Sequence, residues 1–219
     1  MTWRERIVRP LYALIGVTVL GVGVGILIIG VTGVDPYSVL TVGLSARTGY
    51  GLGPVQIVVN LVLLIPVAIW GRRMIGLGTI INMVLTGFVI AGTAALLAPL
   101  APAEPTMLSR AGFLLLGMLV FDLGVSAYVA AGLGGGPYDA IAPLIVDRTG
   151  WAYRYVRGVQ DIAVAALGFI LGGPLGIATV ITAFFNGPLI ELMTRLIHTP
   201  LVARLTATEP IDVLDPQRR

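Results

Sequence analysis

Apolar runs of about twenty residues recur along this chain, and they constrain it more than any other feature. A helix advances about 1.5 Å per residue, so about twenty residues cross the ~30 Å hydrocarbon core of a bilayer. Backbone groups find no water there, which leaves helices as the form such runs take. The spans expected are 10–31, 53–71, 74–98, 108–131, 153–172 and 175–197. Composition agrees: 57% of the 219 residues are hydrophobic and 11% are charged, against about 25% charged in a soluble domain. The expected class is an all-α polytopic membrane protein whose first partner is the lipid bilayer.

Several chemistries are excluded on residue type alone. There is no cysteine, so disulfides, thiolate catalysis and Cys-based zinc sites are out. The single histidine, His198, cannot make a metal site by itself. Glycines are plentiful, yet no Gly-Lys-Ser/Thr follows them, and no Ser/His/Asp set is present. The chain is therefore expected to be no enzyme and to carry neither cofactor nor metal. All fourteen basic residues are arginines, and they flank the apolar runs without interleaved aromatics. That is not the footprint of a nucleic-acid partner. The first apolar run begins near Met1 but is too long for the core of a signal peptide, so it counts as the first span.

The chain is an internal repeat. An offset of 101 carries Arg9 to Arg110, Gly16 to Gly117, Gly23 to Gly124 and Gly33 to Gly134. The same offset carries Pro36-Tyr37 to Pro137-Tyr138 and Arg47-Thr48-Gly49 to Arg148-Thr149-Gly150. After a one-residue deletion the offset of 100 takes Gly76 to Gly176, Thr79 to Thr179 and Gly87 to Gly187. The units are 1–98, a proline-rich linker 99–107, a second copy 108–198 and a tail 199–219 read as a loosely ordered extension with room for one short amphipathic turn.

Three spans per copy is an odd number, so the second copy is expected upside-down relative to the first. The arginines agree. With a cytoplasmic N-terminus only Arg47 and Arg110 fall outside, and the other twelve, Arg218 and Arg219 included, fall inside. Both termini are then expected to be cytoplasmic.

Between the first and second spans, and again between the fourth and fifth, lie short helices expected at 36–46 and 137–147. Proline suits a first helical turn, and Asp or Gly before it suits the cap. Two readings stay open for this pair: flat helices at the interface, or re-entrant half-helices that begin near the bilayer midplane. Inverted repeats in transporters use the second arrangement. Two such starts would aim unpaired N–H groups at one volume and favour an anion. Asp35 and Asp139 could cap their own helices and cancel this, or hold a cation, so the sign of the ligand is open. Tyr37 and Tyr138 either line a pathway or sit at the interface.

Four more polar positions complete the candidate site. Gln56 and Asn60, and their counterparts around Gln160 and Asp161, put a polar stripe on the second span of each copy. Arg157 and Asp161 are four apart and can pair along one helix face. Asp122 lies midway along the fourth span, where a lone carboxylate is expensive. It is read as a proton-coupling group, with a structural carboxylate bonded to a neighbouring helix as the alternative. Asn82 and Asn186 read as interhelical hydrogen-bond partners.

The segments Gly33-Val34-Asp35-Pro36-Tyr37, Gly43-Leu44-Ser45, Gln56, Asn60, Gly76-x-Gly-Thr79-x-x-Asn82 and Gly132-Leu133-Gly134-Gly135-Gly136-Pro137-Tyr138-Asp139 resemble the YczE/YitT-type bacterial integral membrane proteins. The resemblance covers about residues 10–198 and implies a bacterial cytoplasmic-membrane protein, fitting either transport or an accessory role in secondary-metabolite production. The first functional expectation is a transporter or channel for a small solute. Its binding residues would be Asp35, Tyr37, Tyr138, Asp139, Gln56, Asn60, Gln160 and Asp161, with Asp122 coupling and a homodimer possible in principle for so small a chain. The rival is a non-transporting membrane partner of a biosynthetic or export complex.

Overall fold

The computed structural model describes residues 2–101 and 104–208. Pro102 and Ala103 of the linker and residues 209–219 of the tail, Arg218 and Arg219 among them, lie outside the described residues. Among those described there are ten α-helices and no strand: α1 (Trp3–Ile29), α2 (Pro36–Thr48), α3 (Leu52–Trp70), α4 (Leu77–Leu97), α5 (Met107–Ala130), α6 (Pro137–Thr149), α7 (Tyr153–Ile170), α8 (Ile177–Phe184), α9 (Asn186–Met193) and α10 (Thr199–Thr206).

Helix α1 starts well before its apolar run. Thr2 accepts from the Glu5 N–H at 3.2 Å, and the Glu5 carboxylate accepts from the Thr2 N–H at 2.8 Å. This reciprocal cap satisfies two N–H groups and winds the charged residues 4–9 into the helix. Four helices, α1, α3, α4 and α5, are long and apolar enough to cross a bilayer. Helix α7 is 18 residues long but carries Arg154, Arg157 and Asp161.

The run 175–197, expected as one span, is broken. Helices α8 and α9–α10 meet at a 63° bend and make a fifth candidate span only if taken together. Pro188 explains the break: it has no N–H to give, and its ring would clash with the carbonyl four residues back, at Phe184, the last residue of α8. The tail also differs from expectation. A π-turn over Thr194–His198 leads without interruption into α10, whose Val202, Ala203 and Thr206 are buried. Tyr12 on α1 ties this end down, with its hydroxyl 2.5 Å from Nδ1 of His198.

At the centre α1 and α5 run antiparallel in very close contact. A Cβ on Gly16 would stand 2.5 Å from the Tyr128 backbone N, and one on Gly124 would stand 2.1 Å from that of Leu20. Further along, Gly23 meets Phe121 and Gly117 meets Leu27. Small residues on both partners let the two backbones approach at this distance. Leu20, Val24, Leu27, Val34, Val39 and Phe121 form the core around the pair. The opposite face of α3, with Val58, Leu61, Val62, Ile65 and Ile69 exposed, is apolar, as a lipid-facing surface requires.

Candidate functional site

The two short helices are built alike. Proline occupies the first turn of each, and each stops at a left-handed glycine, Gly49 at φ 75° and Gly150 at φ 70°. Their caps differ. Asp35 accepts from the Ser38 N–H at 3.0 Å, whereas Gly136 at the head of α6 offers no side chain, and Asp139 turns away to an arginine. The loops before them are pinned in matching ways. Thr32 O accepts from the Ala178 N–H at 3.0 Å, and Leu133 O accepts from the Gly78 N–H at 2.8 Å. Gly33 and Gly134 take φ of 84° and 93° in these loops, and a Cβ there would meet the backbone of Gly176 or Gly76. Only glycine fits such a position without strain.

The loops leave the α1–α5 pair at opposite ends. Arg9 near the start of α1 donates to Ala131 O at 3.1 Å, while Gly30 at its end packs on Phe113. These positions are 21 residues apart on one helix, about 30 Å. Yet the rings of Tyr37 and Tyr138, the second residues of α2 and α6, lie with centroids 5.0 Å apart. Both loops must therefore turn back toward the middle of the α1–α5 pair before their helices begin.

Around the tyrosines the polar positions gather in two sets. On the second-half side the Tyr138 hydroxyl donates to Asp161. Arg157 donates from Nε to Asp161 and from Nη1 to Asp139, each at 3.0 Å, and its guanidinium lies 4.9 Å over the Tyr138 ring. Gln160 donates to Tyr138 O at 2.9 Å. On the first-half side Gln56 donates to Thr41 Oγ1 at 3.1 Å. Thr41 is one turn beyond Tyr37 on α2, and Asn60 is one turn beyond Gln56 on α3. Because α2 and α3 are joined by the short turn at 49–51 and run back along each other, Asn60 comes level with Tyr37.

The two sets are unequally satisfied. Tyr37 OH, Gln56 Oε1, Asn60 Nδ2 and Gln160 Oε1 are buried with no hydrogen-bond partner among the described residues. Gln56 is fully buried, with Oε1 against Gly87 on α4, and Asn60 is 1% exposed, so each such group carries a desolvation cost of about 1–3 kcal/mol. Asp122 belongs to neither set. It is fully buried on α5, accepts from Asn186 Nδ2 at 2.6 Å at the head of α9, and leaves Oδ2 unpartnered.

The geometry thus gathers Tyr37, Tyr138, Asp139, Gln160 and Asp161 directly, with Asp35 one cap away and Gln56 and Asn60 on the α3 wall. It separates Asp122 from them. Asn186 is an interhelical partner as its position suggested, whereas Asn82 lies against Gly136. Arg157 ties the second-half set together, a role beyond the local pair its spacing indicated. Thr41 was not foreseen, and its only sequence signal is the four-residue spacing from Tyr37. No group of three or more His, Asp and Glu among the described residues is placed to hold a metal ion.

Residues 7–195 match the family described as "Family of unknown function (DUF6198)". The chain is 30% identical over 194 residues to an "Uncharacterized protein" of Haemophilus influenzae, covering 85% of each chain. It is 29% identical over 185 residues to the "Uncharacterized membrane protein YczE" of Bacillus subtilis, covering 84% of each. It is 25% identical over 203 residues to the "Uncharacterized protein YyaS" of the same organism, covering 90% of this chain and 97% of the relative. No solved structure matches the chain.

Proposed function

The chain belongs to the DUF6198 family, and from that premise we propose that it is a multi-pass transporter or channel for a small solute. The reading takes the chain as six crossings in two oppositely oriented halves, 1–98 and 108–198, in a bacterial cytoplasmic membrane with both termini cytoplasmic. The solute site lies between the heads of α2 and α6. It moves a solute without chemical change, so no catalytic residue or cofactor is assigned.

One observation carries the proposal: two loops that depart about 30 Å apart deliver Tyr37 and Tyr138 to within 5.0 Å of each other. Flat interfacial helices at opposite faces have no reason to meet. A second feature supports it. The loop at 133–135 and Asp139 are partly open, with half of the Asp139 side chain exposed, while the matching Ser38 and Val34 are buried. A site reachable from one side and closed from the other is what rocking of two halves requires.

One observation favours the rival, a membrane partner without transport. Asp122 is shielded and hydrogen-bonded to Asn186, as a structural carboxylate would be. Cysteine accessibility separates the readings in a chain with no native cysteine. Gly135 has open space around it, so Gly135→Cys fits. The transport reading expects Gly135→Cys in oriented membrane vesicles to react with an impermeant thiol reagent from the Arg9 side. Protection from both sides contradicts it.

A further inference from the structure

We infer that the chamber between the heads of α2 and α6 takes a protonated amine that carries an apolar body; the inference rests on the transport reading and names its substrate class. A helix start ordinarily favours an anion, but at α2 the chain's own carboxylate already occupies that role. Asp35 takes the Ser38 N–H, while Asp139 adds a negative charge in the first turn of α6 and pairs with Arg157. Asp35 lies near Asp139 and Asp161, and the one guanidinium among them, Arg157, pairs with those two and not with Asp35. The formal balance is two negative charges in a setting where charge acts strongly. An anion is repelled there and a cation is drawn in.

The unpartnered atoms point the same way. Gln160 Oε1 accepts only, Tyr37 OH does either, and Asn60 Nδ2 only donates, while Gln56 Oε1 lies against Gly87 on α4. Counted with the carboxylate oxygens of Asp35, Asp139 and Asp161, acceptors are in excess, which suits an ammonium that brings several N–H donors and no acceptor. The Tyr37 and Tyr138 rings add π faces for the same charge.

The apolar body has a place as well. A cleft of about 420 Å³ between α3, α6 and α7 is lined by Leu63, Ile141, Val159 and Ala163 and ends on Tyr138 and Gln160. Its wall is almost wholly apolar, and it adjoins the carboxylate set through Tyr138, whose hydroxyl donates to Asp161. A purely apolar occupant such as a lipid tail leaves the surplus charge beside Tyr138 unanswered.

Binding to the purified full chain in uncharged-lipid nanodiscs tests this, read by fluorescence of Trp151, which lines the cleft. The probes are 3-phenylpropylamine, 3-phenylpropanol and 3-phenylpropionate, which share a body and differ in the head. The amine is expected to bind at least 10-fold more tightly than either of the others. Asp139→Asn, at the half-exposed end of the network, is expected to weaken the amine about 10-fold and leave the alcohol unchanged. Equal binding of amine and alcohol overturns the inference in favour of an apolar occupant, and preference for the carboxylate overturns its sign. No binding of any probe to protein that melts cooperatively overturns it outright. Proteoliposome uptake of the same probes keeps the two readings apart: amine binding without flux contradicts transport alone, and flux of the carboxylate contradicts the substrate class alone.

Discussion

Tyr37 and Tyr138 occupy matching positions 101 residues apart, touch each other, and live in different surroundings. Tyr138 donates to Asp161, which Arg157 holds, and Arg157 reaches on to Asp139. At the matching places in the first half stand Asn60 for Asp161 and Gln56 for Arg157, both neutral, with unpartnered atoms. The lesson is a division of labour. The charged side chains partner one another and fix the geometry, and the neutral pair that replaces them keeps polar atoms with no partner among the described residues.

Matched substitutions break or sharpen that comparison. The largest effect is expected at Arg157. Arg157→Met strands Asp161, which is 3% exposed on its side chain, and breaking a buried pair from one side costs about 3–5 kcal/mol. Gln56→Leu at the matching position is expected to cost no more than about 1 kcal/mol, since the loss of its hydrogen bond to Thr41 is offset by removal of an unsatisfied amide oxygen. Equal losses in thermal melts of the two variants would mean the halves are not divided as described.

A smaller contrast is expected at the tyrosines. Tyr138→Phe removes a hydrogen bond to a charged acceptor and is expected to cost about 1.5–3 kcal/mol, whereas Tyr37→Phe removes a hydroxyl without a partner and is expected to cost close to nothing. Unfolding curves for the two single variants check this. A large loss in Tyr37→Phe would reveal a partner for its hydroxyl and close the gap between the halves.

The smallest effect concerns the loops. Val31 takes φ 52°, a left-handed conformation, and its counterpart Gly132 takes φ 65°. A side chain with a Cβ pays about 1–2 kcal/mol there. Val31→Gly is therefore expected to stabilise by up to about 1 kcal/mol once glycine's own flexibility is set against the gain. Gly132→Val in the same melting assay is expected to do the reverse.

Much of the fold was legible because its signals are local. The four long helices end within a few residues of the apolar runs, apart from α1, where a cap at Thr2 outweighed the charges. The heads of α2 and α6 fall at Pro36 and Pro137 as read, since proline marks a first turn wherever it occurs. The breaks were less legible. An apolar run averages over Pro188 and hides the bend it causes, and the one short amphipathic turn read in the tail is the eight-residue α10, which owes its length to the burial of Val202, Ala203 and Thr206. In the site, residue types and spacing identified the participants but not their pairing. That Asp139 abandons its own cap for Arg157, or that Asn60 keeps an unpartnered amide where Asp161 is paired, follows from tertiary contacts that no local window contains.

The central claim is that α2 and α6 begin side by side in the interior of the protein. Cysteine pairing in native membranes tests it most directly, because the chain contributes no cysteine of its own. The double variant Tyr37→Cys/Tyr138→Cys, treated with a short bis-thiosulfonate reagent, is expected to cross-link within one chain as efficiently as a Tyr12→Cys/His198→Cys control, whose native side chains stand 2.5 Å apart. A control that cross-links while the tyrosine pair does not would contradict the claim and remove the shared chamber with it.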